Sequence, residues 1–213
     1  MFRISQYKSH YRALVVLGFP IIVGQLGSIA QGFADTLMVG RYGSLELSAA
    51  GFVNGLFALA IIFGMGFSYG LTPISGALFG KGEKERVGGL LKSALLANFL
   101  LSVIVTAIMT VVYFNIERMG QPVELISYIR PYFLVLLISL VPVQLFYVFK
   151  QFTDSINKTS IGMWIIIFAN IFNIVGNYVL IYGKFGFPEW GLFGAGVATT
   201  VSRFLMLFAY MIA

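Results

Sequence analysis

The feature that most constrains this chain is a series of six long apolar runs separated by short polar gaps. They extend from Ala13 to Val39, Leu47 to Phe79, Leu90 to Phe114, Leu125 to Phe149, Ser160 to Tyr182 and Leu192 to Ala213. Each is long enough to cross a bilayer, which takes about 20 predominantly apolar residues in a helix. The runs are continuously apolar rather than alternating. They therefore predict helices and not barrel strands, because lipid leaves each backbone group to pair within its own segment. The fold class expected is all-α, a polytopic membrane protein with six transmembrane helices. Charged residues make up 10% of the chain and hydrophobic ones 59%, against about 25% and about 45–50% in a soluble domain. A water-soluble globule is excluded.

The basic residues set the expected orientation, since Lys and Arg near span ends favour the cytoplasmic side. One side collects Arg3, Lys8, Arg12, Lys81, Lys84, Arg86, Lys92, Lys150 and Lys158, and the other only Arg41, Arg118, Arg130 and Lys184. A cytoplasmic N-terminus follows, in a multi-pass protein of the cell (inner or plasma) membrane. The net charge of +6 is thereby a topology signal. No basic stripe suits a phosphate backbone, so nucleic acid is not an expected partner. Residues 1–213 read as one six-helix lobe whose last run meets the chain end while still apolar, which suggests a chain cut short.

Enzymatic constellations are lacking. The chain has no cysteine and a single histidine, His10, ahead of the first run, so histidine-cluster metal sites and a Ser-His pair within the membrane are excluded. The Gly80-Lys81-Gly82 turn lacks the spacing of a phosphate-binding loop. No enzyme activity is expected.

Of the 8 acids, only Asp35 falls inside a run. A carboxylate at membrane depth costs at least about 2.5–3.5 kcal/mol on insertion scales, which makes it a functional candidate. Gln31 and Ser28 lie one and two turns before it, giving the first helix a polar face. Pro20, nearer the start of that helix, removes one backbone hydrogen bond and marks a candidate hinge. The fifth run carries Asn170, Asn173 and Asn177 at helical spacing, and the sixth carries Thr199, Thr200 and Ser202. Amides buried in hydrocarbon need partners; Asn170 reads as helix-to-helix glue, whereas the others offer Asp35 the oxygen ligands that hard cations prefer. Gln25, Asn54, Gln144 and Tyr147 are candidate cavity-lining residues, and Arg203 reads as a snorkelling or interface residue. Glycine pairs at four-residue spacing, Gly51 with Gly55 and Gly66 with Gly70, predict close helix packing.

These residues also carry a resemblance. The segments G-F-P-I-I-V-G-Q-L from Gly18 and G-F-A-D-T-L-M-V-G from Gly32 resemble the first helix of the multidrug and toxic compound extrusion (MATE) transporters. N-I-V-G-N-Y from Asn173, Y-G-K-F-G-F-P-E-W-G from Tyr182 and G-A-G-V-A-T from Gly194 are similar to the fifth-to-sixth helix region of the NorM-type bacterial members. K-Q-F-T-D-S from Lys150 resembles the loop after their fourth helix. The resemblance implies two six-helix lobes around a central cavity, with this chain as the N-terminal lobe and a second lobe as its partner. It implies cation-coupled export of drugs and organic cations by alternating access. Its coupling site would be Asp35 with Asn173, Asn177 and Thr199, taking H⁺ or possible Na⁺ and no other cofactor. Some family members carry a second acid where Asn177 stands, which leaves Asp35 as the sole strong cation acceptor of this lobe. The alternatives are a lipid-linked-precursor flippase of the same superfamily, whose cavity would hold more arginine, and a stand-alone six-span protein of structural or enzymatic role.

Overall fold

The structure, a computed structural model, describes residues 4–213. Arg3 and the side chains of Lys8 and His10 lie outside the described residues. The chain forms α1 (Ile4–Tyr42), α2 (Ser44–Tyr69), α3 (Leu71–Gly80), α4 (Lys84–Phe114), a 3₁₀ turn (Ile116–Met119), α5 (Val123–Ile138), α6 (Leu140–Ser155), α7 (Thr159–Tyr182) and α8 (Gly191–Ile212). Among the described residues there is no strand. Five stretches are each long and apolar enough to span a membrane, and α5 with α6 forms a sixth, bent by 42°. Their outward faces are greasy: Leu14, Val15, Phe19, Leu26 and Phe33 of α1 are all exposed, as lipid contact requires. The protein is a multi-pass membrane protein.

Two expected spans differ from single straight helices. The run from Leu47 to Phe79 divides at Gly70 into α2 and α3, although together they still form one span. The run from Leu125 to Phe149 breaks at Ser139. Pro142 has no N–H to offer the carbonyl one turn back, so the ladder is interrupted there. Ser139 tightens the joint by donating both its N–H (3.0 Å) and its hydroxyl (2.6 Å) to the Leu136 carbonyl. The helix then continues to Ser155. The segment from Lys150 to Ser155, expected as a loop, is thus the last turn of α6, held by a Lys150–Asp154 ion pair of 2.7 Å within that helix.

α1 packs chiefly on α7, α7 on α8, and α2 on α5 and α6, while α4 closes over α6. At the end where α1 turns into α2 lies the main apolar core. Val53, Phe57, Ile129, Phe133, Leu136, Leu140 and Ile181 are buried there, with Phe57 set edge to face on Phe133 at 4.9 Å. A smaller cluster of Phe146, Ile166 and Tyr210 closes the other end.

The glycines that bring helices together are not the expected pairs. A Cβ on Gly51, Gly55 or Gly66 would meet nothing, and one on Gly70 only the Phe67 carbonyl of its own chain segment. Four-residue spacing places two residues on one face, but Gly51, Gly55 and Gly66 stand on exposed faces. The close approach occurs instead at Gly194, where a Cβ would stand 2.6 Å from the Leu180 carbonyl of α7, and at Gly176, 3.1 Å from Ala198 of α8. These contacts draw α7 and α8 into a tight pair, which carries the polar site described next.

Candidate functional site

Asp35 sits on α1 near its junction with α2 and faces α7. Two turns of α7 place Asn173 and Asn177 on the facing side, both fully buried. Asn177 donates from Nδ2 to Asp35 Oδ1 at 2.6 Å. With its nitrogen turned to the carboxylate, Asn173 donates to the same oxygen at 2.8 Å and accepts from the Thr199 hydroxyl of α8 at 3.2 Å. Gln31, one turn earlier on α1, brings its Nε2 to 3.2 Å from the Asn173 amide. The four residues expected to form a cation site therefore meet at one point, each from the helix and face that its spacing predicts.

The carboxylate's partners are all neutral. Among the described residues no Lys or Arg lies within ion-pair distance of Asp35; the ion pairs are Arg86–Glu83, Arg130–Glu117 and Lys150–Asp154. Beside it, Asn177 Oδ1 is buried with no donor. A carboxylate and an orphaned amide oxygen together form an oxygen-rich, negatively charged spot, the donor chemistry of a hard monovalent cation or a proton. No cluster of three or more His, Cys, Asp or Glu side chains occurs among the described residues.

Asp35 opens onto a cavity of about 550 Å³. Its wall includes the expected Gln25, Ser28, Gln31, Asn54, Tyr147 and Thr199. Ser28 spends its hydroxyl on the Gly24 carbonyl at 3.2 Å, and Asn54 accepts from the Tyr132 hydroxyl at 3.0 Å. Asn173 and Asn177 stand behind the wall. Pro20 is buried within α1, which runs through it as a continuous helix.

Gln144 is a correction. It does not line the cavity but lies fully buried between α6 and α2, where the space left by Gly64 admits it; a Cβ on that glycine would stand 2.5 Å from its amide carbon. Both of its amide atoms lack partners. Asn170 does not act as the expected hydrogen-bonding glue either. It packs on Gly27 of α1, and its Nδ2 finds no acceptor.

The sequence model of the MatE family matches residues 20–179, a span holding Asp35, Asn173 and Asn177. The chain belongs to the MatE family. It is 29% identical over 206 residues to the multidrug resistance protein NorM of Photobacterium profundum, covering 97% of this chain and 45% of that protein. It is 33% identical over 214 residues to the multidrug resistance protein MdtK of Pectobacterium atrosepticum, covering 98% and 46%. The chain thus spans about half the length of the curated relatives it matches. Among solved structures it resembles a MATE in complex with MaD5 (TM-score 0.84, 23% identity, 92% of this chain and 44% of that one). It also resembles an outward-facing multidrug resistance MATE family transporter of the MOP superfamily (TM-score 0.82, 22% identity, 94% and 43%). These likenesses fix the fold, one half of a MATE structure.

Within this MatE-family lobe, the cavity wall also includes residues that the sequence did not assign to it, among them Tyr132, Lys150 and Arg203. Of the two readings of Arg203, snorkelling and interface, the structure departs from the first: the guanidinium stays inside and donates to Ser139 Oγ at 2.6 Å, at the break between α5 and α6. Its register held the clue, for Arg203 lies one turn beyond Thr199 on α8 and so shares the face that looks toward Asp35.

Proposed function

We propose that this chain is the N-terminal lobe of a cation-coupled antiporter that exports amphipathic compounds, and that Asp35 with Asn173, Asn177 and Thr199 is its coupling site. The observation that carries this reading is a membrane-embedded carboxylate held only by neutral amides, at the wall of a cavity sized for a small molecule. Such a carboxylate has a charge left to be matched. A proton or Na⁺ arriving from outside matches it, whereas the amide shell alone holds it when the cation leaves. The names of the relatives, multidrug resistance proteins, support drugs or organic cations as cargo and transport rather than an enzymatic role. The second lobe would supply the opposite cavity wall, and the protein would lie in the inner or plasma membrane with its N-terminus cytoplasmic.

Coupling requires only that cation and cargo favour different conformations. α1 is the element suited to respond: it carries Asp35, contains Pro20, and rests mainly on α7 rather than in the core. Neutralising Asp35 changes what its amide partners on α7 are attracted to, and so the relation of α1 to α7 on which the cavity wall depends. The test is efflux from proteoliposomes holding the complete protein under an imposed pH or Na⁺ gradient. Asp35→Asn is expected to reduce gradient-driven efflux to the level of empty liposomes while the protein still inserts. Undiminished efflux would overturn the assignment.

A further inference from the structure

One helix, α8, joins the cation site to the break between α5 and α6. Thr199 of α8 donates to Asn173, which in turn donates to Asp35. One turn further along, Arg203 donates from its guanidinium to Ser139 Oγ at 2.6 Å. Thr200 pins α8 to the same region by donating to the Val135 carbonyl at 2.8 Å. Ser139 is fully buried and gives its own hydroxyl proton to the Leu136 carbonyl at 2.6 Å. Its oxygen is therefore fixed as an acceptor, and the guanidinium has a tether that carries no charge.

The charges around the cavity are met in different ways. Among the described residues its wall holds Asp35 from α1, Lys150 from α6 and Arg203 from α8, with the phenols of Tyr132 on α5 and Tyr147 on α6; α2 and α7 bring no titratable group to it. The Lys150 ammonium is 2.7 Å from Asp154 Oδ2, and the Tyr132 hydroxyl is spent on Asn54. Arg203 has no carboxylate within ion-pair distance among the described residues, yet it lies within electrostatic reach of Asp35. Two opposite charges thus line one cavity without touching, each held by neutral partners. In surroundings of low polarity a unit charge acts well beyond hydrogen-bond distance, and a guanidinium stays charged whatever Asp35 binds.

We propose that Arg203 is a positioning residue of the coupling site: held off Asp35 by the Ser139 hydroxyl, its fixed charge opposes the cation that Asp35 binds and so makes that cation releasable. The inference rests on the reading of Asp35 as the coupling carboxylate and adds what tunes it. A carboxylate at membrane depth among amides alone would keep its cation too tightly for antiport, which needs release as well as loading. A guanidinium in contact with Asp35 would do the opposite and exclude the cation, as a closed ion pair does. The tether sets the charge between these limits, and the 42° bend between α5 and α6 is what presents the Ser139 hydroxyl to it.

The test titrates the complete protein in lipid with acid or Na⁺ and reads, by infrared difference spectroscopy, the cation concentration that half-shifts the Asp35 carboxylate band. Arg203→Gln keeps an amide donor for Ser139 but loses the charge, and is expected to lower that concentration at least about threefold. Arg203→Lys keeps the charge and should stay within about twofold of wild type. Ser139→Ala frees the guanidinium to close on Asp35 and should raise the concentration at least about threefold. Loosened packing alone would move Arg203→Gln and Ser139→Ala the same way, so their opposite signs separate charge from structure. Cation binding by Arg203→Gln no tighter than wild type, an Arg203→Lys protein that copies Arg203→Gln, or a Ser139→Ala shift toward tighter binding would each overturn the proposal. Where Arg203→Gln does not fold, the sign of the Ser139→Ala shift decides alone. The underlying reading is judged separately: a wild-type protein with no band that depends on Asp35 sinks the coupling site itself, whereas a band that titrates but ignores Arg203 sinks only this inference.

Discussion

Two carboxylates of this lobe, Asp35 and Asp154, occupy similar places and opposite circumstances. Both sit near the end of a membrane helix, turned inward. Asp154 has a cation fixed beside it: Lys150 stands one turn away on α6 at 2.7 Å, and the two side chains are 9% and 14% exposed. Asp35 has amides as hydrogen-bond partners, from Asn177 and Asn173 on another helix, and no cation within ion-pair distance among the described residues. A carboxylate already paired within its own helix gains little from a second cation. One whose partners are neutral carries net charge into the membrane and is stabilised by whatever cation reaches it. The first arrangement builds structure, and the second leaves an exchangeable charge.

Breaking each in turn sharpens the contrast. Asp154→Asn strands the Lys150 ammonium at the cavity wall and should cost about 3–5 kcal/mol, as removal of one member of a buried pair does. The check is thermal unfolding in detergent, with the doubly substituted Lys150→Met/Asp154→Leu protein recovering much of the loss. Asp35→Asn should do the reverse, sparing the melting temperature while abolishing gradient-driven transport. A protein that melts as early as Asp154→Asn would show that Asp35 is a structural acid after all.

Smaller effects follow from the packing beneath the two sites. Gly194→Ala presses a methyl group on the Leu180 carbonyl and should destabilise by about 1–3 kcal/mol. It should also impair transport, because the α7–α8 pair positions Asn173, Asn177 and Thr199. Tyr210→Phe removes a hydroxyl that meets Thr153 beside the ion pair at 3.2 Å, for about 1 kcal/mol, with transport retained. Gly51→Ala meets nothing and should leave both stability and transport within error.

The sequence made the spans legible because hydropathy over a membrane-length window is a strong, one-dimensional signal. It also made the meeting of Asp35, Asn173, Asn177 and Thr199 legible, since helical spacing assigns each to a face and the family resemblance assigns the faces to each other. What it concealed was which neighbour a face receives. Gln144 shares a helix side with Tyr147 and Gln151, yet it turns into the gap left by Gly64, a fact held in α2 and not in α6. The glycine pairs failed for the same reason. The bend at Ser139 was partly visible in Pro142, but a missing N–H shows where a ladder weakens and not how far it turns. For Arg203, length and charge allow snorkelling as well as an interface position, and the Ser139 hydroxyl at that bend, which accepts from the guanidinium, decides against snorkelling.

The central claim is that Asp35 is the charge that changes hands. Infrared difference spectroscopy of the complete protein in lipid, recorded as Na⁺ or acid is added, reads it directly. The account predicts a carboxylate band that shifts in the wild type and in Asp154→Asn, and that is missing in Asp35→Asn. The same band surviving in Asp35→Asn would contradict it.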